Sequence, residues 1–345
     1  MSTGASVASF HLSEVNPWQS SHPPISYSSL ACLIMKIFLP LLLIAFCSQG
    51  ASAQPSNKKP TKPQNTEDMW LTEAPSELPE AVTHHTYQSD SMGRSVGYCI
   101  YLPPSYLSSQ DRKYPVIYHL HGAGGNEFRS TYSASVLHEG ILQGRLPEII
   151  IVFPNGGRST MYQDSADGRF MAETSVIKEL IPHIDSTYRT IADRNARGIE
   201  GFSMGGRGST HLAMKYPEMF GSLFNQSGNV MHVSDSSQLP NAYLGDDAKT
   251  LADNDSYLNL LKNADYIRQH MRIQLACGTD DPGHLPTVRE FHAALTNANV
   301  RHQYFEVDGL DHSQKKMIDG RKATWFNFQI ESMKNAGVDL IYREQ

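Results

Sequence analysis

Gly201-Phe202-Ser203-Met204-Gly205-Gly206 is the stretch that decides the fold of this chain. Residues 196–200 before it read as a short strand. Residues 206–216 after it read as a helix, with Leu212, Ala213 and Tyr216 at helical spacing and Pro217 as the stop. A serine held on a sharp strand-to-helix turn is a nucleophile elbow. The glycines suit a strained turn in which side chains beside the serine would clash. The helix N-terminus behind Ser203 favours negative charge, as a developing oxyanion requires. Gly-x-Ser-x-Gly by itself also describes an ordinary glycine-rich turn, so its surroundings carry the reading.

The same alternation of strand and helix recurs on both sides. Strands are predicted at 96–102, 114–121, 148–153, 221–226, 273–277 and 302–307, and helices at 174–188, 285–298 and 320–335. Residues 114–121 form a continuous apolar run, as found inside parallel sheets. The helix at 174–188 carries Val176, Ile177, Leu180, Ile181 and Ile184 on one face. This order predicts an α/β fold, a mostly parallel central sheet with helices on both faces. Residues 228–255 are polar and irregular and follow a strand end near the elbow, which places them in the pocket wall. The chain shows no internal repeat.

With 345 residues and 40% hydrophobic content, the chain can bury a sizeable core. Its net charge of −6, with no basic stripe, argues against a nucleic-acid partner. Met35-Lys36, the apolar run 37–46 and Ala51-Ser52-Ala53 form a charged region, an apolar region and an Ala-x-Ala site. Cleavage is expected after Ala53, with Met35 as the translational start, giving a secreted or periplasmic protein. The apolar run is too short for a comfortable membrane span, so no stable membrane insertion is expected after cleavage. A lipoprotein reading through Cys47 ranks second, because Phe46 fits a lipobox poorly. Residues 54–80 read as a flexible linker and residues 81–345 as the catalytic domain. Cys99 and Cys277 lie in apolar strands and are expected as buried free thiols.

Ser203 needs a base, and hydrolases built on such an elbow order their triad Ser, Asp or Glu, His. Of the histidines after Ser203, His211 lies on the elbow helix, His232 in the polar insert, His292 mid-helix and His302 at a strand start; His270 and His284 are the others. His312 lies in the loop beyond the strand 302–307, at the carboxyl end of the sheet where such sites are built. The acid is expected in Cys277-Gly278-Thr279-Asp280-Asp281, after the preceding strand. Asp281 is favoured over Asp280 on turn geometry. Asp308 and Asp311 sit too near His312 in sequence to be comfortable partners. His121-Gly122-Ala123-Gly124-Gly125 lacks the Lys-Ser/Thr of a phosphate loop and reads as an oxyanion loop. The backbone N–H groups of Ala123 and Met204 would point at the tetrahedral oxygen, and His121 reads as structural. Neither a metal nor a cofactor is called for, since no His-Glu-x-x-His spacing occurs. Tyr162, Phe170 and Trp325 divide between core and an aromatic pocket wall and stay outside the site set.

Residues 114–122 (Tyr-Pro-Val-Ile-Tyr-His-Leu-His-Gly), Glu179-Leu180-Ile181-Pro182, Tyr188-Arg189 and the elbow together resemble the esterase D family of α/β-hydrolases. That family includes feruloyl esterases, S-formylglutathione hydrolases, enterochelin esterases and mycolyltransferases. The resemblance covers roughly 83–335. It implies Ser203 as nucleophile, His312 as base and Asp281 as acid, and the Cys-Gly-Thr-x-Asp pattern is most similar to the feruloyl esterase branch. The expectation is a secreted serine esterase acting on a small-molecule or polysaccharide-linked ester, with acyl or feruloyl esters of carbohydrate foremost. The export signal weighs against S-formylglutathione, a cytosolic substrate. An acyltransferase of the same fold and a non-catalytic carbohydrate-binding relative are the alternatives.

Overall fold

The computed structural model describes residues 69–233 and 241–343. The signal-like stretch, Cys32, Cys47 and the linker up to residue 68 lie outside the described residues. Eight strands form one sheet: β1 (Val82–Ser89), β2 (Arg94–Tyr101), β3 (Val116–Leu120), β4 (Ile150–Pro154), β5 (Arg197–Phe202), β6 (Ser222–Gln226), β7 (Arg272–Gly278) and β8 (His302–Val307). Their order is β1-β2-β4-β3-β5-β6-β7-β8. The pairs β1/β2 and β2/β4 are antiparallel, and the rest of the sheet is parallel. This is the α/β-hydrolase arrangement expected from the sequence.

The helices are α1 (Tyr132–Leu142), α2 (Ala172–Thr174), α3 (Ile181–Thr187), α4 (Met204–Lys215), α5 (Asn241–Leu244), α6 (Ala248–Asp253), α7 (Ser256–Lys262), α8 (Ala264–His270), α9 (Leu285–Asn297), α10 (Gln314–Asp319) and α11 (Asn327–Asn335). Successive strand side chains point to opposite faces, and the core follows that period. Val116, Tyr118 and Leu120 of β3 join α3, α4, α7 and α9 in one apolar layer. Ile117 of the same strand joins α1, α10 and α11 in the other. Cys99 and Cys277 are buried and free, one in each layer.

Some elements differ from the sequence expectation. The helix predicted at 174–188 is interrupted by a π-type stretch, Ser175–Leu180. Pro182 cannot donate to the carbonyl four residues back and its ring crowds that carbonyl, so the helix widens ahead of it. The closing helix begins at Asn327 instead of 320, because Trp325 and Phe326 turn into the core first. Part of the 228–255 insert is helical, in α5 and α6. Trp70, inside the stretch read as linker, is buried, and its carbonyl accepts from the Gly97 N–H. Among the described residues, no helix is long and apolar enough to cross a membrane.

Candidate active site

Every predicted site residue stands in the turn or loop after a parallel strand, except Met204, which opens the helix that follows Ser203. Ser203 follows β5, with φ 58° and ψ −119°. A non-glycine residue there is strained, and such strain clusters at functional turns. The turn closes only because its neighbours lack side chains. A Cβ on Gly205 would strike the Leu120 carbonyl, and one on Gly201 would come within 2.5 Å of the Gly205 carbonyl. The nucleophile turn is therefore packed directly on the end of β3, the strand that feeds the 122–125 loop. The Ser203 N–H is fixed by the Gln226 carbonyl at 2.9 Å.

The structure brings three of the predicted residues into one line. Ser203 Oγ lies 2.8 Å from His312 Nε2, and His312 Nδ1 lies 2.6 Å from Asp281 Oδ2. Asp281 is buried, whereas the His312 ring is about a third exposed (32%) and meets Phe202 at 4.5 Å between centroids. Burial alone would raise the Asp281 carboxyl. The hydrogen bonds from His312 and His284 outweigh it and hold the group below its ordinary range. Asp280 is exposed and contributes its backbone N–H to Leu310.

The 122–125 loop is pinned from below. Tyr162 is fully buried; its hydroxyl accepts from the His121 N–H at 2.9 Å and donates to the His121 carbonyl. His121 Nε2 accepts from the Gly156 N–H and Nδ1 donates to the Gly122 carbonyl. Burial lowers this imidazole to about 4, so it is neutral and structural. Gly124 N–H is held by the Arg158 carbonyl at 2.7 Å. Ala123 is exposed on this loop, and Met204 is the first residue of α4, whose N–H has no partner within the helix.

A buried polar network lies beneath the site. His119 on β3 donates from Nδ1 to Glu200 on β5 at 2.7 Å and accepts at Nε2 from Gln314 at 2.8 Å. Gln314 also donates to Gln226 and accepts from Ser130, and Gln329 donates to the other Glu200 oxygen. Gln314 is two residues beyond His312, so the loop bearing that histidine is tied to the strands around Ser203.

His211, His232, His292 and His302 are engaged elsewhere. His211 pairs with buried Glu173, His232 with Asp255, and His292 with His302. Of the three aromatic residues considered for a pocket wall, Tyr162 is core beneath the loop and Trp325 is core against Phe224 on the opposite layer. Phe170 is half-buried and stacks on Tyr243, 6.2 Å between centroids. His284 is the residue that sequence reasoning left unassigned. Its Nδ1 lies 2.8 Å from the second Asp281 oxygen, and its ring stacks on His312. Asp-x-x-His, three residues apart on one turn, was the available signal. Among the described residues, Asp281, His284 and His312 also form the group close enough to hold a metal ion, with ligand atoms within 4.8 Å of one another. Those same atoms are engaged in the hydrogen bonds just described.

Comparison with known proteins identifies a family for the chain. Residues 89–336 match the Esterase family. An esterase of Mycobacterium tuberculosis is 31% identical over 263 residues, covering 66% of this chain and 54% of that protein. An endo-1,4-beta-xylanase/feruloyl esterase of Xylanibacter ruminicola is 32% identical over 145 residues, covering 39% of this chain and 20% of that protein. The chain thus spans about half the length, or less, of these curated relatives. Among solved structures, a ferulic acid esterase is 27% identical with a TM-score of 0.60, covering 69% of this chain and 94% of that one. The S-formylglutathione hydrolase from Agrobacterium tumefaciens is 20% identical, with a TM-score of 0.59 and coverage of 73% and 95%, and shares the fold. The chain belongs to the Esterase family over residues 89–336, with an esterase D-like, α/β-hydrolase fold.

Proposed function

We propose that this chain is an exported esterase that cleaves acyl or feruloyl esters of carbohydrates through a Ser203–His312–Asp281 triad. The observation that carries the reading is the continuous line from Ser203 Oγ through His312 to buried Asp281. Ser203 Oγ attacks the ester carbonyl while His312 Nε2 takes its proton. Asp281 fixes the Nδ1–H tautomer and stabilises the imidazolium that forms. The N–H groups of Ala123 and Met204 receive the oxyanion; losing one such donor typically costs about 3–4 kcal/mol. His312 returns the proton to the departing alcohol, and water repeats the sequence on the acyl-enzyme. The feruloyl preference is supported by the xylanase/feruloyl esterase and the ferulic acid esterase among the relatives and by the Cys277-Gly278-Thr279-x-Asp281 pattern. Export is supported by the sequence pattern ending at Ala53.

The test is turnover of methyl ferulate and p-nitrophenyl acetate by the purified protein, with Ser203→Ala as control. Ferulate release that disappears in the variant supports the full reading. Acetate turnover alone supports a serine esterase with a small-acyl pocket. Product that forms only with an added sugar acceptor supports an acyltransferase. Retention on glycan without turnover of either ester overturns the catalytic reading.

A further inference from the structure

Asp281 serves two imidazoles at once. Its Oδ2 accepts from His312 Nδ1 at 2.6 Å and its Oδ1 from His284 Nδ1 at 2.8 Å. The two rings lie nearly parallel, 7° apart, with centroids separated by 3.9 Å. His284 stands at the entry of α9, and the turn 281–285 is closed by Leu285 N–H to the Asp281 carbonyl at 2.9 Å. The side chain of His284 is thus held over the triad by the same turn that carries the acid. We propose that His284 is a positioning residue for the triad and an acid-side brake on it. This inference rests on the triad reading above.

The positioning half follows from the hydrogen bonds. A carboxylate with one donor on each oxygen cannot rotate without losing one of them. His284 therefore fixes the Asp281 plane so that Oδ2 faces His312. The stacked ring also limits rotation of the His312 imidazole. With both Nδ1 atoms donating, both rings keep Nε2 as acceptor, the form His312 needs to receive the Ser203 proton.

The brake follows from charge. During attack His312 becomes an imidazolium facing His284. A neutral His284 tolerates that charge, whereas a protonated one opposes it. Burial lowers His284 below its ordinary range, the Asp281 bond raises it in part, and the charge of His312 lowers it further. The other ionisable groups on the elements packed around the pair are few. Cys277 at the end of β7 is pushed up to about 11 by burial and stays a thiol. Asp280 and Asp311 are exposed, with Asp311 bound to Lys316, and His232 pairs with Asp255 at the start of α7. A proton gained by His284 therefore adds its own loss of activity on the acid side.

The experiment is the pH profile of kcat/KM between about pH 4.5 and 8.5 for the wild-type protein, His284→Asn and His284→Phe, with thermal melts of each. Asn keeps a donor at the position of Nδ1 and removes the titration; Phe keeps a stacked ring and removes the donor. The wild-type acid limb is expected to fall more steeply than one proton allows, and that of His284→Asn with a single proton. His284→Phe is expected to lose about 10- to 100-fold in kcat with KM little changed, the size of one hydrogen bond to a charged group. His284→Asn is expected to recover most of that loss. Three superimposable acid limbs, or equal kcat losses in both variants, would overturn the proposal, and the limbs are compared over the pH range in which the melts show each protein folded. Turnover that survives Ser203→Ala sinks the triad reading itself. Turnover abolished by Ser203→Ala, with wild-type profiles in both His284 variants, sinks this inference alone.

Discussion

Replacing Asp281 by Asn tests the site at its most constrained point. The carboxylate accepts one N–H on each oxygen, from His312 and from His284. An amide has one oxygen, so only one ring keeps its bond as built. With Nδ2 turned to His312, that ring must present Nδ1 as acceptor and carry its proton on Nε2, where it can no longer receive one from Ser203. A wrong tautomer of this kind lowers the rate of a serine triad about 10⁴-fold, or ~5 kcal/mol. With Nδ2 turned to His284, that ring shifts its own proton and His312 keeps its working tautomer. The loss is then mainly the charge. A hydrogen bond to an ionised acceptor is worth about 1.5–3 kcal/mol against about 0.5–1.5 for a neutral one, and the imidazolium loses its counter-charge as well. Together these come to about 2–3 kcal/mol, or about 10²-fold. Asp281→Asn should therefore fall by about 10²- to 10⁴-fold in kcat/KM. Adding His284→Ala removes the amide's alternative partner and should move the value toward the larger loss. The assay is kcat/KM for p-nitrophenyl acetate near pH 8, with Asp280→Asn alongside. Asp281→Asn within threefold of wild type, or Asp280→Asn equally impaired, would refute the reasoning.

Other expectations follow from the packing around the site. Glu127 has a fully buried side chain; burial, partly offset by backbone hydrogen bonds and by Asn155, pushes it up from 4.5 to about 7. The folded state keeps this proton over a range where the unfolded chain releases it, so the associated stability is complete below about 4.5 and is lost as pH rises through 7. That shift corresponds to roughly 3 kcal/mol, and urea melts at pH 5 and pH 8 should show Glu127→Gln losing less stability over that interval than wild type. Tyr162→Phe leaves the His121 N–H without its acceptor and should cost about 1–3 kcal/mol in a urea melt, with a fall in kcat as the 122–125 loop loosens. Gly205→Ala forces a methyl group into the Leu120 carbonyl, and a melt should show at least the 1–3 kcal/mol typical of overpacking. Dialysis against EDTA should leave ester turnover unchanged, because the ring nitrogens of His312 are committed to Ser203 and Asp281; loss of activity restored by a divalent ion would contradict this.

Much of the arrangement was legible in the sequence because it rests on local rules. The elbow shows through its glycines, and the parallel strands show as apolar runs because both of their faces are covered. The order Ser203, Asp281, His312 could be read because loops at strand ends are recognisable by composition. Other features depend on distant partners and left little local trace. β1 is an edge strand whose alternation is broken by half-buried His84 and by exposed His85 and Thr86, so no run of apolar residues announces it. α1 mixes Ser133, His138 and Gly140 into its buried face, which blurs the helical period. Trp70 is a single aromatic residue in a polar stretch, and its burial depends on chain that arrives much later. His284 falls in the same class: its spacing from Asp281 is local, but its stacking on His312 exists only once β7 and β8 are neighbours.

The Glu200 network has a consequence for how such a site can change over generations. His119, Glu200, Gln226, Gln314 and Gln329 fasten the His312 loop to β3, β5 and β6 through buried side chains. The spacing of base and nucleophile is thereby inherited from the sheet. Among the described residues, those at 163–171 and 243–254 carry none of these tethers. They are free to lengthen, shorten or exchange residues and so to try new esters, while the frame that performs the chemistry stays in register. Within the frame the freedom is opposite: an apolar replacement at Glu200 would strand both His119 and Gln329, so its members can be replaced only together.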